Sequence, residues 1–242
     1  MTPDVTMCVV TTERPTLEAC LATCRSQTME VLVDEVRNVS PMDAAFRQMA
    51  EQCTTPYLIQ VDDDMLLYEH CAAKLRAEIV AAPENVWMVC GYLWDTHLHR
   101  PIQGVKIYKA DRLRELSFNP VLSCEVDQNQ RAKDKGWKLK LLSPDEPLGY
   151  HEIGDRPQTV FERYRLLALK GRMRGYDWPN EVAPLMLRRL TQGTWKDRDV
   201  WALAGALVGH CEPIAENLGE DDGKRSDEFR QVKELLNRWQ KL

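Results

Sequence analysis

Residues 57–64 read Tyr-Leu-Ile-Gln-Val-Asp-Asp-Asp, a short apolar run that stops on three consecutive carboxylates. The run is aromatic and β-branched and follows Pro56, which predicts a buried strand. In an open α/β sheet, ligands bind beyond the carboxyl ends of the strands. Asp62, Asp63 and Asp64 therefore stand where a ligand would sit. Three adjacent like charges repel one another, at a cost, unless a cation or solvent compensates. Oxygen-only ligands suit Mg²⁺ or Mn²⁺, ions that commonly hold substrate phosphates. A solvated acidic turn after a strand is the plainer alternative.

The segments around this run alternate between strand and helix patterns. Strands are expected at Val5–Val10, Val31–Val36, Val86–Leu93, Val105–Tyr108 and Trp137–Leu142. Thr16 is placed to cap a helix reaching about Gln27, with Leu17, Cys20, Leu21 and Cys24 on one face. Ser40-Pro41-Met42-Asp43 predicts a second helix start, with Ser40 as the cap and Pro41 at the first helical position. Its buried stripe would be Met42, Ala45, Phe46, Met49 and Cys53. Further helices are expected over Tyr68–Ala82 and Ser123–Lys135, the latter stopped by Gly136. This order predicts an α/β domain over 1–155, with a mixed, mostly parallel sheet flanked by helices. From 156 to 242 only helix patterns occur, near 159–170, 181–191, 197–209 and 226–241. They predict an all-helical C-terminal appendage, with Gly219–Gly223 as an exposed loop.

Composition narrows the function classes. The 242 residues carry a net charge of −5, so no overall basic field draws the chain to nucleic acid or membrane. The balance is uneven: residues 156–242 hold 16 Lys+Arg against 13 Asp+Glu, and the remainder 16 against 24. None of the eight cysteines forms a C-x-x-C pair and no histidine cluster accompanies Cys20 and Cys24, which argues against zinc. The cysteines read as small buried hydrophobes of a reducing compartment. There is no basic and apolar leader and no apolar run of about 18 residues, so a cytoplasmic protein that does not span a membrane is expected. Neither a P-loop nor a G-x-S-x-G elbow is present.

Four pieces in order resemble the family 2 glycosyltransferases of the GT-A fold: VTMCVVTTERPTLEACLATCRSQ, AAFRQMAEQCTTPYLIQVDDD, EVDQNQRAKDKG and WKLKLLSPDEPLGYH. The resemblance covers about residues 4–154. It implies that Asp62 and Asp64 form a D-x-D motif binding Mn²⁺ or Mg²⁺ and the ribose–diphosphate of a nucleotide sugar. Asp64 is then the direct metal ligand, Asp62 reaches ribose or a metal-bound water, and Asp63 faces the sugar or solvent. His151 matches the late histidine that completes such a metal site, and is equally placed to be a histidine of a Gly-Tyr-His turn. Glu125 and Asp127 match the acidic motif, with a valine between acids that are adjacent in the family. The distance to Arg131 favours Glu125 as the base, with two helix-start acids as the bland alternative. Thr11, Thr12 and Glu13 fall in the loop that holds the nucleobase. Asp34 would accept from a uracil imide, and Arg47 would contact diphosphate unless it is a surface arginine.

The donor so implied is a UDP-sugar and the acceptor a hydroxyl. Basic residues and tryptophans mix in the helical part: Trp178, Trp195, Trp201 and Trp239, with Arg163, Arg165, Lys170, Arg172, Arg174, Arg188, Arg189, Lys196 and Arg198. They keep a hydroxymethylated base in DNA in view as acceptor, by analogy with bacteriophage DNA-modifying enzymes, the protein then working in the host cytoplasm. A solvated face over a core, or attachment to a lipid-linked or cell-surface polysaccharide acceptor, uses the same charges. A sugar-phosphate nucleotidyltransferase is a rival enzyme, but its Gly-rich, Lys-bearing loop is replaced here by TTERPT. A non-catalytic nucleotide-sugar or nucleic-acid binding module is the remaining alternative.

Overall fold

The computed structural model describes residues 2–152, 154, 156–173, 178–212 and 229–234. The chain forms two compact units, Met1–Glu152 and Ile153–Leu242.

The first unit is built on one eight-stranded sheet. In chain order it contains β1 (Val5–Thr11), α1 (Leu17–Arg25), β2 (Leu32–Arg37), α2 (Met42–Gln52), β3 (Tyr57–Asp62), β4 (Met65–Leu67) and α3 (Cys71–Val80). There follow β5 (Val86–Asp95), β6 (Arg100–Lys109), α4 (Ala110–Glu115), α5 (Cys124–Asp134), β7 (Lys138–Leu141) and β8 (Gly149–His151). The strand order is β2-β1-β3-β6-β5-β8-β4, with β7 also on β5. β1 pairs in parallel with β2 and β3, and β5 with β7 and β8. β3–β6, β5–β6 and β4–β8 are antiparallel. Apolar side chains fill both faces, as buried strands of mixed sheets require. One core gathers Met7, Leu21, Ile59, Leu75 and Leu93; the other gathers Phe46, Met49, Leu58, Trp87, Tyr108 and Phe118.

Local chemistry moves several boundaries from their expected places. Thr16 holds the N-cap position of α1 but makes no capping bond through its side chain. Pro41, extended at ψ 175°, is the residue before α2, so the helix starts at Met42 and Ser40 is not its cap. Met42 is accordingly exposed, whereas Ala45, Phe46, Met49 and Cys53 are buried. Residues 65–70 are drawn into β4 and a link to Leu148, so α3 begins only at Cys71. β6 is ten residues long because it closes a hairpin with β5 through Pro101 and Gly104, residues with poor strand propensity. Seven of the eight cysteines are buried, and Cys211 is exposed.

The second unit contains α6 (Pro157–Met173), α7 (Trp178–Thr191) and α8 (Asp197–Cys211). α6 and α8 pack at backbone distance. A Cβ added to Gly205 would lie 2.2 Å from the Phe161 carbonyl oxygen, and one at Gly209 would lie 2.1 Å from that of Arg165. Arg165 is fully buried and donates to Glu212 at 2.7 Å. Residues 229–234 are helical and bring Phe229 against Phe161 and Trp201. The rest of the expected helix 226–241, the 219–223 loop, Arg174 and Trp239 lie outside the described residues. Among the described residues, no helix is long and apolar enough to cross a membrane.

Candidate functional site

The parallel register of β1 and β3 pairs Val10 with Asp62, so both strands end level. That alignment sets the loop after β1 against the three aspartates. Asp63 turns into the protein and is only 3% exposed. Its Oδ2 accepts from the Thr11 hydroxyl at 2.6 Å, the Thr12 N–H at 3.2 Å and the Arg14 N–H at 3.3 Å. A buried carboxylate needs donors, and the loop supplies them. Asp63 therefore anchors the loop; of the sugar or solvent it was expected to face, burial removes the solvent. Thr11 also accepts from the Glu13 N–H at 2.7 Å, so its hydroxyl is engaged in shaping the turn. Glu13 adopts φ 59°, uncommon for a residue with a side chain, and is exposed beside Arg37 at 3.3 Å. Thr12 is exposed.

Asp64 is brought to His151 by two three-residue strands. β4 and β8 pair Met65 with His151, and the Glu152 N–H donates to the Asp64 carbonyl at 2.7 Å. Asp64 Oδ1 lies 3.4 Å from His151 Nε2. The other ring nitrogen, Nδ1, lies 3.0 Å from Asp95 Oδ2. Asp95 Oδ1 accepts from the N–H groups of His97 and Leu98 at 2.9 and 2.6 Å, which locks that carboxylate in place. All three side chains are buried. A carboxylate holding one ring nitrogen while the other faces outward is how metal-ligating histidines are oriented. Asp64 Oδ1 and His151 Nε2 have the separation of neighbouring ligands on one ion, given donor bonds of about 2.1 Å. Among the described residues, no group of three or more His, Cys, Asp or Glu converges to hold a metal ion by itself. The pair offers part of a coordination shell.

Arg14 completes this corner. Its Nη1 forms an ion pair with Asp64 Oδ2, and its Nε lies 3.5 Å from Asp63 Oδ1. Burial would lower its pKa, but Asp64, Asp63 and Asp62 outweigh that and hold it above the ordinary arginine value. Asp62, half-buried, is pushed up to about 6 by lost hydration, then by repulsion from Asp64 and Glu125, against the pull of Lys106 and Arg14.

Glu125 and Asp127 part company on α5. Glu125 accepts from Lys106 Nζ at 2.5 Å and from Gln60 Nε2 at 3.0 Å, while Gln60 Oε1 accepts from the Tyr108 hydroxyl at 3.0 Å. The β3–β6 register, Gln60 opposite Lys106, sets both donors under the helix start. Burial by itself lowers the Lys106 ammonium, yet Glu125, with Tyr108 next, raises it above its usual value. Asp127 accepts from Arg131 Nε at 2.8 Å and Asn119 Nδ2 at 3.0 Å, one turn away on the same helix and its preceding loop. Glu125 is thus within the electrostatic reach of Asp62, and Asp127 belongs to a local pair.

Two expected donor contacts lie elsewhere. Asp34 is not at the end of β2; it pairs with Cys8, three positions short of Arg37. Arg47 donates to Asp43 at 2.5 Å and to the Phe118 carbonyl at 2.8 Å, tying α2 to the segment before α5. Arg14, Asp95, Lys106 and Gln60 are the site residues that the motifs did not bring out. Asp95 had a visible cue, an acid closing an apolar strand as in β3; the other three depend on strand register.

No protein-family model matches the sequence, and no curated protein matches it. The fold does have solved counterparts. The mannosyltransferase PcManGT from Pyrobaculum calidifontis, in complex with GDP-Man and Mn²⁺, aligns with 86% of this chain and 74% of its own, at TM-score 0.55 and 15% identity. The fold is GT-A-like. At TM-scores of 0.45 and 0.43, S. aureus TarS 1–349 in complex with UDP and 4-diphosphocytidyl-2C-methyl-D-erythritol synthase from Anaerococcus prevotii also align. They are 13% and 8% identical, cover 68% and 58% of this chain, and span 64% and 88% of their own.

Proposed function

We propose that the protein is a metal-dependent glycosyltransferase that moves a sugar from a nucleoside diphosphate sugar to a hydroxyl acceptor. The observation that carries this reading is the Asp64–His151–Asp95 chain at the carboxyl end of β3. Asp64 and His151 would hold Mn²⁺ or Mg²⁺, and Asp62 stands next to them for ribose or a metal-bound water. A divalent cation held there would supply Lewis-acid neutralisation of the charge growing on the leaving diphosphate. The GDP-Man and Mn²⁺ bound to PcManGT, a protein of the same fold, agree with such a donor and ion.

Glu125 is the group we assign as general base. It takes the proton of the acceptor hydroxyl as that oxygen attacks the anomeric carbon and the diphosphate departs with the bonding pair. Lys106 and Gln60 fix its carboxylate, about one-third exposed, beside Asp62. Asp127, held by Arg131 and Asn119, orders the helix start. Thr12 and Glu13 remain at the rim for the nucleobase. With Asp34 set back in β2, the preference for uracil loses its support, and UDP- and GDP-sugars are equal candidates.

The loop TTERPT, anchored on Asp63 and carrying no glycine or lysine, argues against a nucleotidyltransferase. Of the basic side chains weighed for DNA, Arg165 and Arg172 engage Glu212, and Arg189 pairs with Asp199 at 2.6 Å. A nucleic-acid acceptor therefore draws no support from these three. The test is Glu125→Gln: nucleoside diphosphate binding is retained and sugar transfer or donor hydrolysis falls by about 10²–10⁴. Asp127→Asn changes little. Normal turnover in Glu125→Gln together with a dead Asp127→Asn would move the base to Asp127.

A further inference from the structure

We propose that Arg14 is a donor-site residue with two successive partners: it stands in for a cation against Asp63 and Asp64, and turns to the diphosphate when a divalent ion takes Asp64. This rests on reading Asp64 and His151 as a cation site and adds to it a residue that no motif marked.

Three consecutive carboxylates, two of them almost fully buried, need a counter-charge. Arg14 provides it, with Nη1 on Asp64 Oδ2 and Nε 3.5 Å from Asp63 Oδ1. The two oxygens of Asp64 therefore face different partners, Oδ2 the guanidinium and Oδ1 the His151 ring. A divalent ion held by Asp64 and His151 would bring a double positive charge near that guanidinium. At such range in a partly desolvated site, like charges repel, which favours a guanidinium turned away from Asp64.

The loop holds the backbone of Arg14, and its side chain reaches the acids from the rim of the site. Its N–H is held by Asp63 at 3.3 Å and its carbonyl accepts from Leu17 at 3.0 Å. The side chain is 40% exposed, against 5% for each aspartate side chain it touches. Displaced from Asp64, the guanidinium can only swing about an anchored Cα at the rim of the same site. There it offers a planar fork of donors suited to two phosphate oxygens. The loop thus sets one positive charge against two carboxylates, and would present a phosphate-binding group once an ion took Asp64.

Opposite shifts in two affinities test this. Full-length wild type, Arg14→Met and Arg14→Lys are titrated with MnCl₂ alone, free Mn²⁺ being read by electron paramagnetic resonance. UDP and GDP are then titrated calorimetrically at saturating Mn²⁺. Arg14→Met is expected to bind Mn²⁺ roughly tenfold tighter and the nucleoside diphosphate roughly tenfold weaker, with Arg14→Lys between the two, because the charge is kept and the fork is lost. A merely structural arginine would weaken both when removed. Unchanged or weaker Mn²⁺ binding in Arg14→Met overturns the proposal. Asp64→Asn serves as control. If it binds Mn²⁺ as wild type does, the cation-site reading fails. If it loses Mn²⁺ while Arg14→Met matches wild type, only the role of Arg14 fails.

Discussion

Asp62 carries the electrostatic tension of the site in a form that pH can read. Its pKa is pushed up to about 6, so between about 4 and 6 the folded chain holds a proton that the unfolded chain has lost. Stability from this group is therefore present at low pH and disappears as pH rises through about 6. Without metal, Asp62→Asn should be more stable than wild type in urea at pH 7.5, by on the order of 1 kcal/mol because the carboxyl is partly wet, and equal to it at pH 4. A loss of stability at pH 7.5 would mean that Asp62 is favourably paired. The strand that ends on the aspartates was legible in the sequence as an apolar run stopping on carboxylates. Their partners were not. Arg14 meets Asp63 and Asp64, and Lys106 meets Glu125, only because strands distant in sequence are set level.

The strands that deliver His151 are three residues each, too short to leave a periodic trace. The sequence offered His151 either as a ligand or as part of a turn, and the β4–β8 ladder puts it beside Asp64. Gly149 makes that ladder possible. A Cβ there would lie 2.3 Å from the Leu66 carbonyl oxygen and 2.8 Å from the Leu67 Cα, both backbone atoms that cannot yield cheaply. Gly149→Ala should cost about 2–4 kcal/mol in urea unfolding and weaken Mn²⁺ binding with it, because β8 carries the ring. An Ala variant with wild-type stability and Mn²⁺ affinity would show that the ladder is not what positions His151. α1 was readable because Leu17, Cys20, Leu21 and Cys24 repeat at helical spacing, β1 and β3 as short apolar runs and α5 from the Gly136 that stops it, whereas β6 was half hidden by Pro101 and Gly104.

Over the whole chain, every residue assigned to the donor site lies in the Met1–Glu152 unit. The helical character of the remainder was plain from its spacing, but its internal use of charge was not. Arg165 reads as one more basic side chain, yet it is fully buried against Glu212. Gly205→Ala, which would meet the Phe161 carbonyl at 2.2 Å, should destabilise the α6–α8 pair and leave Mn²⁺ and nucleotide binding intact. Thermal melts followed by circular dichroism, alongside Mn²⁺ titration, separate the two effects. Loss of nucleotide binding in that variant would assign the helical unit a part in the donor site.

The most direct measurement of the central claim is calorimetric titration of UDP and GDP into the wild type, Asp64→Asn and His151→Ala, each with Mn²⁺ and with EDTA. Wild type should bind one of the nucleotides only when Mn²⁺ is present, and both variants should lose most of that binding. Equal affinity with EDTA, or unchanged Mn²⁺-dependent binding in Asp64→Asn, would contradict it.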